Sequence, residues 1–179
     1  MPSIYDAIKQ DHDRHRDLLN TIAATEGDSD KRRKAWDELY RDIKSHSAAE
    51  EETFYSKLMT KTWGQDAARH SVHEHAEMDE ILEELREKDM ASPGWLTRFK
   101  TLKHDYEHHM EEEEEDVFAR AKEVIGAEEN DSYGQRFLDR KDKEMGLINE
   151  KREDALEDQP ANAPILTPTP RKHQRARSP

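Results

Sequence analysis

Along most of this chain apolar residues return every three or four positions, the spacing of one face of an α-helix. The first such stretch is predicted from about Ser3 to Thr25, with Ile4/Tyr5, Ile8, Leu18/Leu19 and Ile22 as its stripe. Between them the stripe passes through Asp11, His12 and His15, and Gly27-Asp28-Ser29-Asp30 ends the helix. The second, from about Lys31 to Thr60, turns Trp36, Leu39, Ile43, His46, Glu50, Phe54 and Leu58 inward. A turn around Trp63-Gly64-Gln65 leads to the third, about Asp66 to Lys88, with Val72, His75, Met78/Asp79, Leu82 and Leu85 on its stripe. Ser92 followed by Pro93 reads as a cap with proline in the first turn, opening a fourth helix that runs to about Ile125. Its inward line is Leu96, Phe99, Leu102, Tyr106, His109, Glu113, Val117, Ala121 and Val124, and Gly126 stops it. Tyr133 to Ala155 reads as a weaker fifth helix on sparse anchors, Phe137/Leu138, Met145 and Ile148, too few to line the core as fully as the first four.

Short connections favour antiparallel neighbours. The expected fold is all-α: an antiparallel up-and-down four-helix bundle with an additional C-terminal helix and a disordered tail. The expected division is a four-helix domain over 1–126, a helical extension over 127–158, and a basic, Pro-containing tail over 159–179.

Composition narrows the function. Charged residues make up 40% and hydrophobic residues 32%, which suits long amphipathic helices. A formal charge of -13 repels phosphate backbones and anionic membranes, so the acidic body is not expected to bind nucleic acid. The absence of cysteine removes disulfides, thiol catalysis and cysteine-ligated zinc or iron–sulfur sites. No apolar stretch has the length of a membrane span, and Met1 to Arg16 is charged where a signal peptide is apolar, so a cytoplasmic protein is expected. Sparse outward apolar residues favour a monomer. Arg171, Lys172, Arg175 and Arg177 make the tail a docking segment for an acidic protein partner or for the chain's own body.

The candidate chemistry lies on the inward faces. His46 and Glu50, and again His109 and Glu113, stand four apart on one helical face, each pair preceded on the previous helix by a lone histidine, His12 and His75. Antiparallel packing brings these positions to similar depths. Four imidazoles and two carboxylates are too many for tetrahedral zinc but suit a pair of six-coordinate Fe, Mn or Zn ions. Two facing buried glutamates are costly without metal or protonation. His12, His46, Glu50, His75, His109 and Glu113 are therefore the candidate ligands. His108 competes with His109 within one residue of helix rotation, and His15 and Asp79 are open as added ligands or supporting groups. His70, His73 and His104 read as surface residues. The run Glu111 to Asp116 reads as a mostly solvated face from which Glu112 or Glu114 accepts a hydrogen bond from a ligand imidazole. Tyr106 is a packing residue that could also donate to an oxygen ligand.

Asp11-His12, His46-Ser-Ala-Ala-Glu50-Glu51, Glu74-His75 and His108-His109-Met-Glu-Glu-Glu113-Glu114, ending in Val117-Phe118, resemble the hemerythrin-like family, also described as the HHE cation-binding domain. The resemblance covers roughly residues 3–126. It implies a four-helix bundle holding two non-haem Fe ions, oxo- or hydroxo-bridged, with Mn or Zn as alternative occupants. It also implies a protein that binds, senses or reduces O2, H2O2 or NO. Oxygen-carrying hemerythrins place two histidines four apart on the third helix, whereas here His75 is followed by Asp79 and His73 by Glu77. The missing imidazole points away from simple oxygen transport and towards a more open site. A non-catalytic iron- or oxygen-responsive interaction protein is the alternative, and a bundle without metal is the third.

Overall fold

The computed structural model describes residues 1–157, with side chains through Asp154; the tail expected over 159–179 lies outside the described residues. Those residues form five helices: α1 Ile4–Ala23, α2 over 30–58, α3 Thr62–Glu87, α4 over 93–121 and α5 Ala127–Glu157. None is long and apolar enough to cross a membrane. Ser3, Ser29 and Ser92 open α1, α2 and α4 as N-caps, each accepting a backbone N–H from the first turn. Such a cap is worth about 1 kcal/mol.

Each of the first four helices packs on its neighbour in the chain, and α4 returns to α1, closing a four-membered ring. The fifth helix lies on α1 and α2. It presents Gly134, Phe137 and Lys141, one helical face, as its buried residues. Gly134 allows the backbone of α5 to meet the start of α1, for a Cβ there would stand 2.2 Å from the Pro2 carbonyl oxygen. The Asn130 side chain accepts the Ile4 N–H at 3.2 Å.

Three local expectations change. Trp63, Gly64 and Gln65 are not a turn but the first turn of α3. The chain reverses at 59–61 instead, and Gly64 packs so closely that a Cβ would lie 1.9 Å from the Leu58 carbonyl oxygen. Val72 is exposed, because the inward face of α3 runs through Ala68, Ser71, His75 and Met78. The fifth helix starts at Ala127, six residues before the first apolar residue that marked it, Tyr133.

The core is two apolar layers with a polar layer between them. One contains Leu19, Ile22, Trp36, Leu39, Ile43, Met78, Leu82, Trp95, Phe99 and Leu102. The other contains Ile4, Ile8, Phe54, Leu58, Ala68, Phe118, Ala121 and Phe137. On every helix of the ring the residues between these two sets are the histidines and glutamates. Their common depth therefore follows from the apolar residues on either side.

Both α2 and α4 widen into π-helix at this depth, over Glu50–Tyr55 and Glu113–Val117. A step of four in an α-helix overshoots one turn by about 40°. Repeated steps of four from His46 to Leu58 would therefore wind off the inner face. The wider π turn takes up the overshoot, and such turns recur at functional sites.

Candidate metal centre

Six side chains meet in the polar layer: His12 from α1, His46 and Glu50 from α2, His75 from α3, and His109 and Glu113 from α4. All are buried, His12, His46 and Glu50 completely. Their donor atoms form two groups. One nitrogen or oxygen each from His12, His46 and Glu50 lie within 4.8 Å of one another, as do those from Glu50, His75 and His109. Glu50 belongs to both. Glu113 joins the His12 side, its Oε2 lying 3.3 Å from His12 Nε2, while its Oε1 accepts the Tyr55 hydroxyl at 2.7 Å.

The four imidazoles are oriented by one rule carried round the ring. Asp11 on α1 accepts His46 Nδ1–H on α2 at 3.0 Å. Glu51 on α2 accepts His75 Nδ1–H on α3 at 2.9 Å, and Glu74 on α3 accepts His109 Nδ1–H on α4 at 2.8 Å. Glu114 on α4 completes the cycle by accepting His12 Nδ1–H at 2.9 Å. Each helix thus fixes the histidine of the next. A carboxylate on Nδ1 sets the tautomer, leaves the Nε2 lone pair free and raises the basicity of the ring.

Those lone pairs converge on atoms of the same kind. Among the described residues, the buried atoms without a hydrogen-bond partner are His12 Nε2, His46 Nε2, both Glu50 oxygens and Glu113 Oε2. Each would cost about 1–3 kcal/mol if nothing satisfied it. His46 Nε2 and Glu50 Oε1 are 2.8 Å apart without the alignment of a hydrogen bond, and His75 Nε2 faces His109 Nε2 at 3.2 Å. Acceptors that turn towards one another this closely are the arrangement two donors adopt around a shared cation. The donor set, imidazole and carboxylate without thiolate, suits Fe, Mn or Zn. The residues present fit a metal pair.

Electrostatics agree. Burial raises Glu113 and the neighbouring Glu50 charge adds to it, pushing its carboxyl up to about 8. Burial also opposes ionisation of Glu50, yet His46, His12 and His75 outweigh it and hold Glu50 well below the usual carboxylate range. For His12 and His75 burial disfavours the imidazolium, but the neighbouring carboxylates, Glu114 and Glu50 on one ring and Glu50 and Glu51 on the other, lift both to about 9. The site attracts positive charge.

The family described as the Hemerythrin HHE cation binding domain matches residues 3–121. The chain belongs to this family. The crystal structure of a hemerythrin HHE cation binding domain-containing protein from Mycobacterium kansasii superposes with a TM-score of 0.74 at 25% identity, covering 86% of this chain and 93% of that one. A DNA nickase of Nostoc sp. is 25% identical over 141 residues, 79% of this chain, which spans only 40% of the nickase.

Within this hemerythrin domain the remaining sequence candidates have other partners. His15 gives its Nε2–H to Asp42 at 2.8 Å and accepts the Tyr106 hydroxyl at 2.7 Å, so both ring nitrogens are used. Tyr106, stacked on His109, therefore directs its hydroxyl to His15. Asp79 is half exposed and paired with Lys44 at 2.7 Å. His73 and His108 are exposed, with Glu77 and Glu112 beside them. His70 groups with Glu74 and Glu112 on the surface. The third helix accordingly brings one imidazole to the centre.

Sequence reasoning singled out Glu114 but gave no role to Asp11, Glu51 and Glu74. All four share a signal: each stands next in the chain to a candidate ligand, beside His12, Glu50, His75 or Glu113. Tyr55 and Asp42 carry no such mark.

Proposed function

We propose that this hemerythrin domain is a non-haem di-iron protein that binds, senses or reduces a small oxidant, O2, H2O2 or NO. His12, His46 and Glu50 would hold one ion, with Glu113 on that side; His75, His109 and Glu50 would hold the other. The observation that carries this reading is Glu50, completely buried, with neither oxygen hydrogen-bonded, common to both donor groups. A carboxylate so placed would be shared by two cations.

Iron held there supplies one-electron exchange with the oxidant. The protein's part is orientation and exclusion of water. Carboxylates on Nδ1 hold the imidazoles, the Tyr55 hydroxyl holds Glu113, and apolar layers seal the centre above and below. The side built on His75 and His109 has fewer protein donors, because Glu113 lies against His12. An external ligand would bind on that side. The chain spans 40% of the Nostoc nickase, and its net charge of -13 disfavours a DNA partner.

Protein reconstituted anaerobically with ferrous iron should develop near-ultraviolet absorption on exposure to O2 or H2O2. Return of the starting spectrum on removing O2 means carriage or sensing, and repeated consumption of peroxide means an enzyme. No spectral response to O2, H2O2 or NO would contradict the reading.

Metal uptake should also release protons. With His12 and His75 lifted to about 9, the metal-free rings carry a proton at neutral pH, which a cation must displace. The affinity is then weakened below that value, rises with pH through it and levels off above. Zinc titration at pH 7 in a weakly buffered indicator solution reads the release directly; uptake without acidification would contradict it.

A further inference from the structure

The His46 end of the carboxylate ring differs from the other three. Glu51, Glu74 and Glu114 keep side-chain exposures of 38%, 20% and 19%, whereas Asp11 keeps 9%. Asp11 is also met from outside the ring. Lys141 of α5 brings its ammonium into contact with the same Asp11 oxygen that accepts His46 Nδ1–H, and lies 2.7 Å from Asp42 Oδ1. The other Asp42 oxygen accepts the His15 Nε2–H. Lys141 is itself buried, at 8% exposure. One turn before it, the Phe137 ring meets the His46 ring edge-on at a centroid distance of 5.5 Å. A lysine is rarely buried unless paired. Here its two partners are the two carboxylates that orient buried imidazoles, and it stands beyond residue 121, where the family match ends.

We propose that Lys141 is a positioning residue of the metal centre, locking Asp11 and Asp42, and through them His46 and His15, so that the C-terminal helix sets the metal affinity of the His12/His46 side. This rests on the di-metal reading above. The half-exposed Arg14 guanidinium also spans the two aspartates, on Asp11 Oδ1 and Asp42 Oδ2. The buried Lys141 ammonium holds the remaining oxygens, Asp11 Oδ2 and Asp42 Oδ1, and so fixes the Asp11 oxygen that faces His46. Asp11 then presents that oxygen to His46 from a buried position. The carboxylates that orient His75 and His109, Glu51 and Glu74, are not partners of Lys141, so loss of the ammonium bears first on the His12/His46 side.

The test is a two-step anaerobic Co2+ titration of the full chain, followed by visible absorption, for wild type, Lys141→Gln and the exposed control Lys143→Gln. Residues that orient metal ligands typically change affinity by about 10- to 100-fold. Lys141→Gln should weaken one step by about tenfold or more and leave the other in place, while Lys143→Gln leaves both. Equal weakening of both steps would mean a general structural role and overturn the proposal, as would two unchanged steps. Should Lys141→Gln not fold, Lys141→Met/Asp42→Asn, which removes the ammonium together with one carboxylate, carries the same expectation. Failure of the wild type to bind Co2+ would sink the metal centre itself, an outcome distinct from a wild type that binds two ions and a variant that does the same.

Discussion

Glu50→Gln should empty both metal positions at once. Glu50 has His46 Nε2 at 2.8 Å, His75 Nε2 at 3.4 Å and His12 Nε2 at 3.7 Å, so one carboxylate touches donors of both groups. Glutamine keeps the shape but removes the charge that offsets two cations, and it turns an amide N–H2 towards one of them. The loss in affinity should exceed the roughly 100-fold upper range seen when a residue merely orienting a ligand is changed. His46→Gln and His109→Gln, by contrast, each disable one group and should leave about one ion. Metal analysis after anaerobic loading reads all three, with circular dichroism confirming the helices. Retention of two ions by Glu50→Gln would show that Glu50 is not the bridge.

Chelation should produce the largest change in stability. A ligand present at a thousandfold excess over its dissociation constant, binding only the folded state, stabilises by about 4 kcal/mol, so two ions each held that tightly contribute about 8 kcal/mol. For a chain of 179 residues, where 1 kcal/mol moves the midpoint by about 2–4 °C, stripping the metal should lower Tm by about 15–30 °C. His46→Leu separates this account from an inert bundle. Without metal, leucine removes an unpartnered Nε2 together with the Nδ1–H bond to Asp11 and leaves the response to chelator at zero, as in the parent; with metal, it removes a ligand and abolishes much of the chelator-sensitive increment. Melting curves with and without chelator decide between them, and a Tm indifferent to chelation contradicts the metal-linked fold.

Much of this architecture is written in spacing alone. Leu39, Ile43, His46 and Glu50, or Leu102, Tyr106, His109 and Glu113, continue one helical face from apolar to polar, and burial of the apolar part carries the polar part inward. His109 rather than His108 faces inward for the same reason. The two π turns are harder to read, since a run in steps of four fits either a drifting α stripe or a widened turn. Val72 fits the predicted stripe because it stands three before His75, yet it lies one position after Ser71, which takes the inward place, within the rotational error of a short stripe.

The orienting groups were obscured for a different reason. Asp11, Glu51, Glu74 and Glu114 each belong to one helix and serve the next, so their role depends on how pairs of helices are rotated against each other. Periodicity within one helix holds no record of that. Lys141 is the extreme case: it meets Asp11 across 130 residues, from a helix whose few apolar anchors gave little reason to place it against the core.

The measurement that bears most directly on the centre is iron per chain after anaerobic reconstitution and desalting, with the absorption spectrum recorded before and after oxidation. About two irons per chain, with near-ultraviolet bands that appear on oxidation, is the expected result for a carboxylate-bridged pair. One ion, or none, would contradict a centre shared through Glu50.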